Sequence, residues 1–240
     1  MRDTLTHIIE QLRDFEAALL ANTLDYIDST PSHERYMSGD IASITPALGP
    51  TVGIAVTARI DSSTPGGEPD TAPFWDQLRH MQDLDTPTVW VVQAVGSRPD
   101  HECILGDGMA KSLYSVGCTG VVTDGRARDV AGMLATPFAA YCRGTAVHHC
   151  ALRVTATNTP VDVGGITVNP GDLIHASTEG VIRIPLNAAQ QLVQRAPQMR
   201  AFEHAAHVLL RRTDIPVEEK PARVRDLLGE HGFLGENWRV

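Results

Sequence analysis

Leu5, Ile8, Ile9, Leu12, Phe15 and Leu19 recur at helical spacing, which predicts one amphipathic helix over 3–21 with a single buried stripe. A short helical or turn segment is expected over 23–27 and ends near Pro31. TVGIAVT at 51–57 reads as a strand, and Gly53 and Ala55 leave one of its faces bare, which implies close backbone packing or a neighbouring ligand. The glycines and prolines of 61–73 (DSSTPGGEPDTAP) predict a loop, either a surface connection or a rim beside a site. A helix is expected over 74–81. The run TVWVVQAV at 88–95 is apolar throughout and rich in β-branched residues, the pattern of a strand buried on both faces.

Residues 104–129 (ILGDGMAKSLYSVGCTGVVTDGRARD) carry the densest signals. Met109, Ala110, Leu113, Val116 and Gly117 predict a helix over 108–116, and 119–123 predicts a strand parallel to the one at 88–95. A helical turn after Asp129 and a strand over 137–141 continue the parallel alternation. Short β-rich runs then follow at 152–155, 161–163, 166–168, 173–175 and 181–184. They are separated by turn signals at Gly164-Gly165 and Asn169-Pro170-Gly171-Asp172, so this half is expected to be a β meander. Helix returns from Asn187, with an interruption at Pro197, and a last amphipathic segment spans 222–231. No repeat, low-complexity tract or linker divides the chain. The expectation is one α/β domain over 1–240, with an N-terminal helix and a C-terminal helical tail.

Composition narrows the partners. The 240 residues are 42% hydrophobic and 20% charged, enough for a sizeable core. The net charge of −9, with no basic run longer than Arg211-Arg212, argues against nucleic acid. No apolar run approaches the roughly 20 residues that cross a bilayer, so no membrane partner is expected. The opening MRDTLTHIIEQL lacks the continuous apolar region of a signal peptide, which points to a cytoplasmic protein. Cys103, Cys118, Cys142 and Cys150 form no CxxC pair and are expected to be reduced and structural.

Several familiar signals drop out. Gly106-x-Gly108 lacks the third glycine of a dinucleotide fingerprint, and P-loop, HExxH and G-x-S-x-G patterns are missing. His148 and His149, if on a strand, would point to opposite faces and share no ion. His175 reads as a packed or surface histidine. Asp107, Arg128 and Asp129 remain, in charged turns beside an apolar strand, where side chains face an open crevice. A hard cation such as Mg²⁺ prefers oxygen ligands and keeps several waters, so one carboxylate can anchor it when substrate supplies the rest. The planar fork of Arg128 suits a carboxylate, and the first N–H groups of the 108–116 helix suit an anion. Together they describe a pocket for a small anionic molecule. The alternative is that Arg128 and Asp129 form a surface ion pair capping a helix, a common and weak arrangement.

Three motifs carry a resemblance: G-[DE]-x-x-A at Gly106-Asp107-Gly108-Met109-Ala110, G-x-x-G-x-V-x-D-G from Gly117 to Gly125, and R-D at Arg128-Asp129. Weaker matches flank them at Gly53-x-Ala55-x-Thr57, Val168-x-Pro170-Gly171-Asp172, Glu179-Gly180-Val181 and Pro185. The chain thus resembles the RraA-like family, which includes the 4-hydroxy-4-methyl-2-oxoglutarate/4-carboxy-4-hydroxy-2-oxoadipate aldolases. The resemblance implies a swivelling β/β/α domain with a partly parallel central sheet, a β-rich second half and flanking helices. It implies a homotrimer or a hexamer with the site between subunits. It further implies a class II pyruvate aldolase dependent on Mg²⁺ or Mn²⁺, which cleaves a 4-hydroxy-2-oxo acid such as 4-hydroxy-4-methyl-2-oxoglutarate and often decarboxylates oxaloacetate.

Carried onto this chain, the family pattern makes Asp129 the metal ligand, directly or through water. Arg128 contacts the substrate and stabilises developing charge, and Asp107 orients water on the metal. Backbone N–H groups around Gly106, Gly108, Met109 and Ala110 hold the pyruvyl carboxylate. Lys111 stays a solvated helix residue, since no Schiff base is required. Gly132 stands where aldolase members commonly carry an acidic residue, and Ser177-Thr178-Glu179-Gly180 has fewer acids than usual. Glu203 loosely matches a glutamate contributed by a neighbouring subunit. Some relatives restrain a ribonuclease instead of catalysing; those tend to lose the metal-binding aspartate, which this chain keeps. The family also carries a quinone methyltransferase label, but no S-adenosylmethionine glycine loop is found here.

Overall fold

The apolar run that begins at Thr88 lies in the middle of a mixed sheet in the computed structural model, which describes residues 2–149 and 151–233. In chain order the strands are β1 (Ala42–Ser43), β2 (Thr51–Asp61), β3 (Thr88–Ala94), β4 (Cys103–Leu105), β5 (Cys118–Thr123) and β6 (Arg126–Ala127). They continue as β7 (Ala139–Cys142), β8 (Arg153–Thr157), β9 (Val161–Val163), β10 (Ile166–Val168), β11 (Leu173–Ser177) and β12 (Gly180–Ile184). The helices are α1 (Arg2–Leu12), α2 (Ala17–Leu24), α3 (Ala72–Leu84), α4 (Asp107–Tyr114), α5 (Val130–Ala135), α6 (Leu186–Leu210) and α7 (Lys220–Glu230). The main sheet runs β1-β7-β5-β3-β2-β11-β12, with β8 on β2 as its eighth strand. β2, β3, β5 and β7 are parallel, as the β-helix-β alternation predicted, and the other pairings of this main sheet are antiparallel.

The strands lack apolar–polar alternation because both faces are covered. Val56, Ala58, Ile60, Trp90, Val92 and Val121 pack with α3, α4 and α5. Ala55, Val89, Val91, Val122 and Tyr141 face the β9–β10 hairpin. The polar tip of Trp90 is satisfied inside: its Nε1 donates to Gln77 Oε1 at 3.0 Å, and Gln77 Nε2 donates to the Thr57 carbonyl at 2.7 Å. This fixes α3 on the sheet, and Trp90→Ala would cost roughly 3–5 kcal/mol. A third core joins α1, α2, α6 and α7 over Val52, Leu173, Ile182 and Ile184. The mixed α/β fold, with a partly parallel sheet and flanking helices, is the one expected. Among the described residues no helix is long and apolar enough to cross a membrane.

Local patterns misled in four places. The helix expected over 3–21 breaks after Leu12 into α1 and α2. The break is held from afar: Arg200 donates to the Asp14 carbonyl at 2.7 Å, and His175 Nε2 lies 3.0 Å from the Phe15 carbonyl. Pro197 does not interrupt α6, which runs through it. A proline inside a helix costs about 3 kcal/mol, but Ala188, Ala189, Leu192, Val193, Ala196 and Met199 keep one buried face across it. β2 continues past residue 57 to Asp61, because Ala58 and Ile60 are fully buried between β3 and β8. The five β runs after 151 all form strands but not a simple meander. β9–β10 and β11–β12 are hairpins, whereas β8 and β11 both pair with β2.

Gly53 meets the close approach expected of it: a Cβ there would lie 2.8 Å from the Pro87 carbonyl oxygen. Cys103, Cys118 and Cys142 are buried free thiols, and Cys150 lies outside the described residues. Burial pushes Cys103 and Cys118 up to about 11, which keeps them protonated and unreactive. The loop after β2 is tied down by a buried carboxylate. Glu102 Oε2 accepts from Ser62 N at 2.9 Å and Ser62 Oγ at 2.7 Å, and its Oε1 accepts from Ser63 Oγ at 2.5 Å.

Candidate active site

Two very short strands, β4 and β6, bring the two charged turns together. They pair in parallel, and Arg128 N donates to the Leu105 carbonyl at 3.0 Å. Two or three residues are too few to show a period, so this ribbon escaped the pattern; the apolar Ile104-Leu105 pair before Gly106 was its one trace. Its consequence is direct. The chain leaving β4 enters α4 at Asp107, and the chain leaving β6 enters α5 through Arg128 and Asp129.

Gly106, Asp107, Gly108, Met109, Arg128 and Asp129 line one cavity of about 400 Å³. Ala110 does not line it; that residue is fully buried, and its N–H donates to the Gly106 carbonyl at 3.1 Å as the first bond of α4. The N–H groups without an intrahelical acceptor are therefore those before it, at the helix start. Gly106, in extended backbone (φ −123°, ψ −177°), makes room for the opposing turn. A Cβ there would lie 2.7 Å from Asp129 Oδ2 and 3.0 Å from Arg128 Nε.

Asp129 has left-handed backbone, φ 61° and ψ 41°, and occupies the N-cap position of α5 without making a side-chain cap bond. Its Oδ2 lies 3.3 Å from Arg128 Nε. The ion-pair alternative is therefore half present: the pair exists and the cap does not. Arg128 Nε is buried and makes no hydrogen bond, while about a third of the Arg128 side chain and 44% of the Asp129 side chain remain exposed. Asp107 pairs with Lys111 at 2.5 Å, so Lys111 is engaged with the site's acid and not simply solvated. The Lys111 ammonium, with help from the Gly108 amide, holds the Asp107 carboxyl below the usual carboxylate range. Asp124, at the end of β5, is structural: its Oδ1 accepts from Ala94 N at 2.7 Å, and burial raises its carboxyl.

The rest of the cavity was not foreseen as such. Ile104, Leu105, Ala151, Leu152 and His149 line it, with Pro69 and Thr71 from the loop after β2, which thus forms a rim. His148 and His149 do not lie on a strand; their rings stack with centroids 5.3 Å apart. His175 is packed in the core, and burial lowers it to about 4. Glu203 accepts from Asn22 Nδ2 at 2.8 Å, in a separate groove between α2 and α6.

Among the described residues no three His, Cys, Asp or Glu side chains gather as a metal cage. That donor set does not suit zinc, which takes three or four protein ligands. It fits a hydrated Mg²⁺ or Mn²⁺ held by one carboxylate and completed by water and substrate.

Comparison with known proteins places the chain. Over 134 residues it is 34% identical to a Halalkalibacterium halodurans protein named "Putative 4-hydroxy-4-methyl-2-oxoglutarate aldolase", covering 53% of this chain and 60% of that one. It is 26% identical over 204 residues to Protein DlpA of Legionella pneumophila, covering 84% of this chain and 31% of that one. The chain thus spans less than two thirds of the length of these two curated relatives. Among solved structures it is similar to Streptomyces coelicolor RraAS2, described as an unusual member of the RNase ES inhibitor RraA protein family. The identity is 25% and the TM-score 0.67, over 84% of this chain and 96% of that one. The model of the RraA-like (Aldolase/RraA) family matches residues 20–183, and the chain belongs to that family.

Proposed function

We propose that the protein is a divalent-metal-dependent lyase that releases pyruvate from a 4-hydroxy-2-oxo acid, with oxaloacetate as a second substrate. The reading includes the homotrimer or hexamer of the resemblance, and a small keto acid, not nucleic acid, as the partner. One observation carries it: the Asp129 carboxylate, the Arg128 guanidinium and the start of α4 open onto one cavity. The name of the aldolase-type relative from Halalkalibacterium halodurans supports the same chemistry.

Cleavage passes the proton of the C4 hydroxyl to water and breaks the C3–C4 bond, so that the C4 fragment leaves as a carbonyl compound. The electron pair passes to an enolate spread over C3, C2 and the 2-oxo oxygen, and protonation at C3 gives pyruvate. Mg²⁺ or Mn²⁺ held by Asp129 would act as a Lewis acid towards the charge on that oxygen. Arg128 sets a fixed positive group beside the same charge as it grows. The first amides of α4 orient the substrate carboxylate. Lys111 lowers the Asp107 carboxyl further below the ordinary carboxylate range, and the ionised Asp107 accepts a hydrogen bond from water or the C4 hydroxyl and orients it.

A second reading, a non-catalytic protein that restrains a ribonuclease, draws on the likeness to RraAS2. The retained Asp129 favours the lyase. Pyruvate release should be assayed with 4-hydroxy-4-methyl-2-oxoglutarate and oxaloacetate, with Mg²⁺ and then with EDTA. Turnover should vanish in EDTA and in Asp129→Ala, with the melting transition kept. Equal rates in EDTA would end the metal claim. No turnover with either compound, together with capture of a ribonuclease, would favour the second reading.

A further inference from the structure

We propose that His149 is the proton carrier of the site: as imidazolium it gives its proton to C3 of the enolate, and as imidazole it is recharged from water. The inference rests on the lyase reading for the reaction and on the chain around His149 for the residue.

The segment that carries His149 is tied to the charged turn. Ala127 N donates to the Gly144 carbonyl at 3.1 Å, and Ala146 N donates to the Ala127 carbonyl at 3.0 Å. The residues on either side of Thr145 thus pair with β6 immediately before Arg128 and Asp129. Further on, Asp70 N donates to the Leu152 carbonyl at 3.0 Å, which ties the segment to the rim loop. Between these anchors His149 lines the same cavity as Asp107, Arg128 and Asp129. Its ring stacks on that of His148, with 26° between the planes, which restrains its tilt. Whatever a neighbouring copy adds to the cavity, the histidine and the charged turn come from one chain.

The reaction needs a group that both releases and regains a proton. Bond cleavage leaves the enolate one proton short of pyruvate at C3. A guanidinium holds its protons too tightly to give one up. Asp107, whose carboxyl lies below the ordinary range, carries no proton near neutral pH. Imidazole gives and takes a proton there. His149 is exposed, so it regains from water the proton that water took from the C4 hydroxyl. The cycle closes: one proton leaves the hydroxyl oxygen, one arrives at C3, and the products are pyruvate and a carbonyl compound.

Deuterium exchange separates the proton step from bond cleavage. With Mg²⁺ in D₂O, the wild type should exchange the methyl protons of pyruvate, read by NMR. His149→Gln should exchange them about 100-fold more slowly, and added imidazole should restore part of the loss. Oxaloacetate loses carbon dioxide without this proton, and its enolate can be protonated in solution. The variant should therefore consume oxaloacetate at nearly the wild-type rate. Oxalate, a flat mimic of the enolate, should bind both proteins alike by calorimetry. Exchange in His149→Gln at the wild-type rate overturns the inference and leaves the lyase standing, as does pyruvate release by the wild type without exchange. Equal losses of exchange and of oxaloacetate consumption, or a loss of oxalate binding, would make His149 a structural residue and overturn it too. A wild type that neither exchanges nor releases pyruvate overturns the lyase, and the inference with it.

Discussion

Gly132 presses its bare Cα against Asp107: a Cβ at 132 would come within 2.5 Å of both Cβ and Oδ2 of the aspartate. α5 and α4 therefore meet where a side chain has no room. The aldolase-type pattern commonly has an acid at this position. Here the space belongs to Asp107, whose carboxylate turns to Lys111 instead. A second acid would clash and repel at once, so the departure at 132 and the Asp107–Lys111 pair are two sides of one arrangement.

Removing that lysine should change a pH profile more than a fold. Lys111 is the largest cause of the lowered Asp107 carboxyl. In Lys111→Met the group returns towards the ordinary carboxylate range and protonates at higher pH. The acid limb of kcat/KM for pyruvate release is expected to move upward, with the melting temperature nearly unchanged because the pair is exposed. An unmoved limb would remove Asp107 from the reaction.

Gly106→Ala tests the meeting of the two turns. Its methyl would lie 2.7 Å from Asp129 Oδ2, so the carboxylate must shift. Mn²⁺ affinity, read by calorimetry, should fall about 10–100-fold, as when an outer partner of a metal ligand is lost. Unchanged affinity would mean that Asp129 is not the ligand.

His175 makes stability depend on pH. Burial lowers it from 6.5 to about 4, with its Nε2 against the Phe15 carbonyl. The unfolded chain therefore binds the proton first. The stabilisation is fully present above 6.5 and is lost as pH falls towards 4, by roughly 3 kcal/mol over that span. Urea unfolding at pH 7 and pH 4.5 should show the fall in the wild type and a smaller one in His175→Gln.

Glu102→Ala leaves the hydroxyls of Ser62 and Ser63 and the Ser62 amide without their acceptor. The expected loss is roughly 3 kcal/mol. Proteolysis should cut first between Thr64 and Thr71, where the loop reaches the cavity rim. A protease-resistant loop in a destabilised variant would mean that the anchor acts elsewhere.

Much of the sheet was legible because burial on both faces writes itself as an unbroken apolar run, as at Thr88 to Ala94. The paired motifs around Asp107 and Arg128-Asp129 were legible because their residue types are unusual side by side. What stayed hidden was set by distant partners. Arg200 and His175 break the first helix from more than 150 residues away. The β4–β6 ribbon is too short for any period, and the rest of the cavity wall comes from three separated stretches of chain. Ala110 shows the limit of a motif: it shares the G-[DE]-x-x-A pattern, yet its amide is spent within α4.

Asp129 holds left-handed backbone that glycine or asparagine would occupy with less strain. Replacing it by glycine would relieve on the order of 1 kcal/mol. The residue proposed to hold the metal is thus one that the scaffold on its own would surrender. A selection for thermal robustness alone would drift towards a sturdier protein that has lost this carboxylate, beginning at this position.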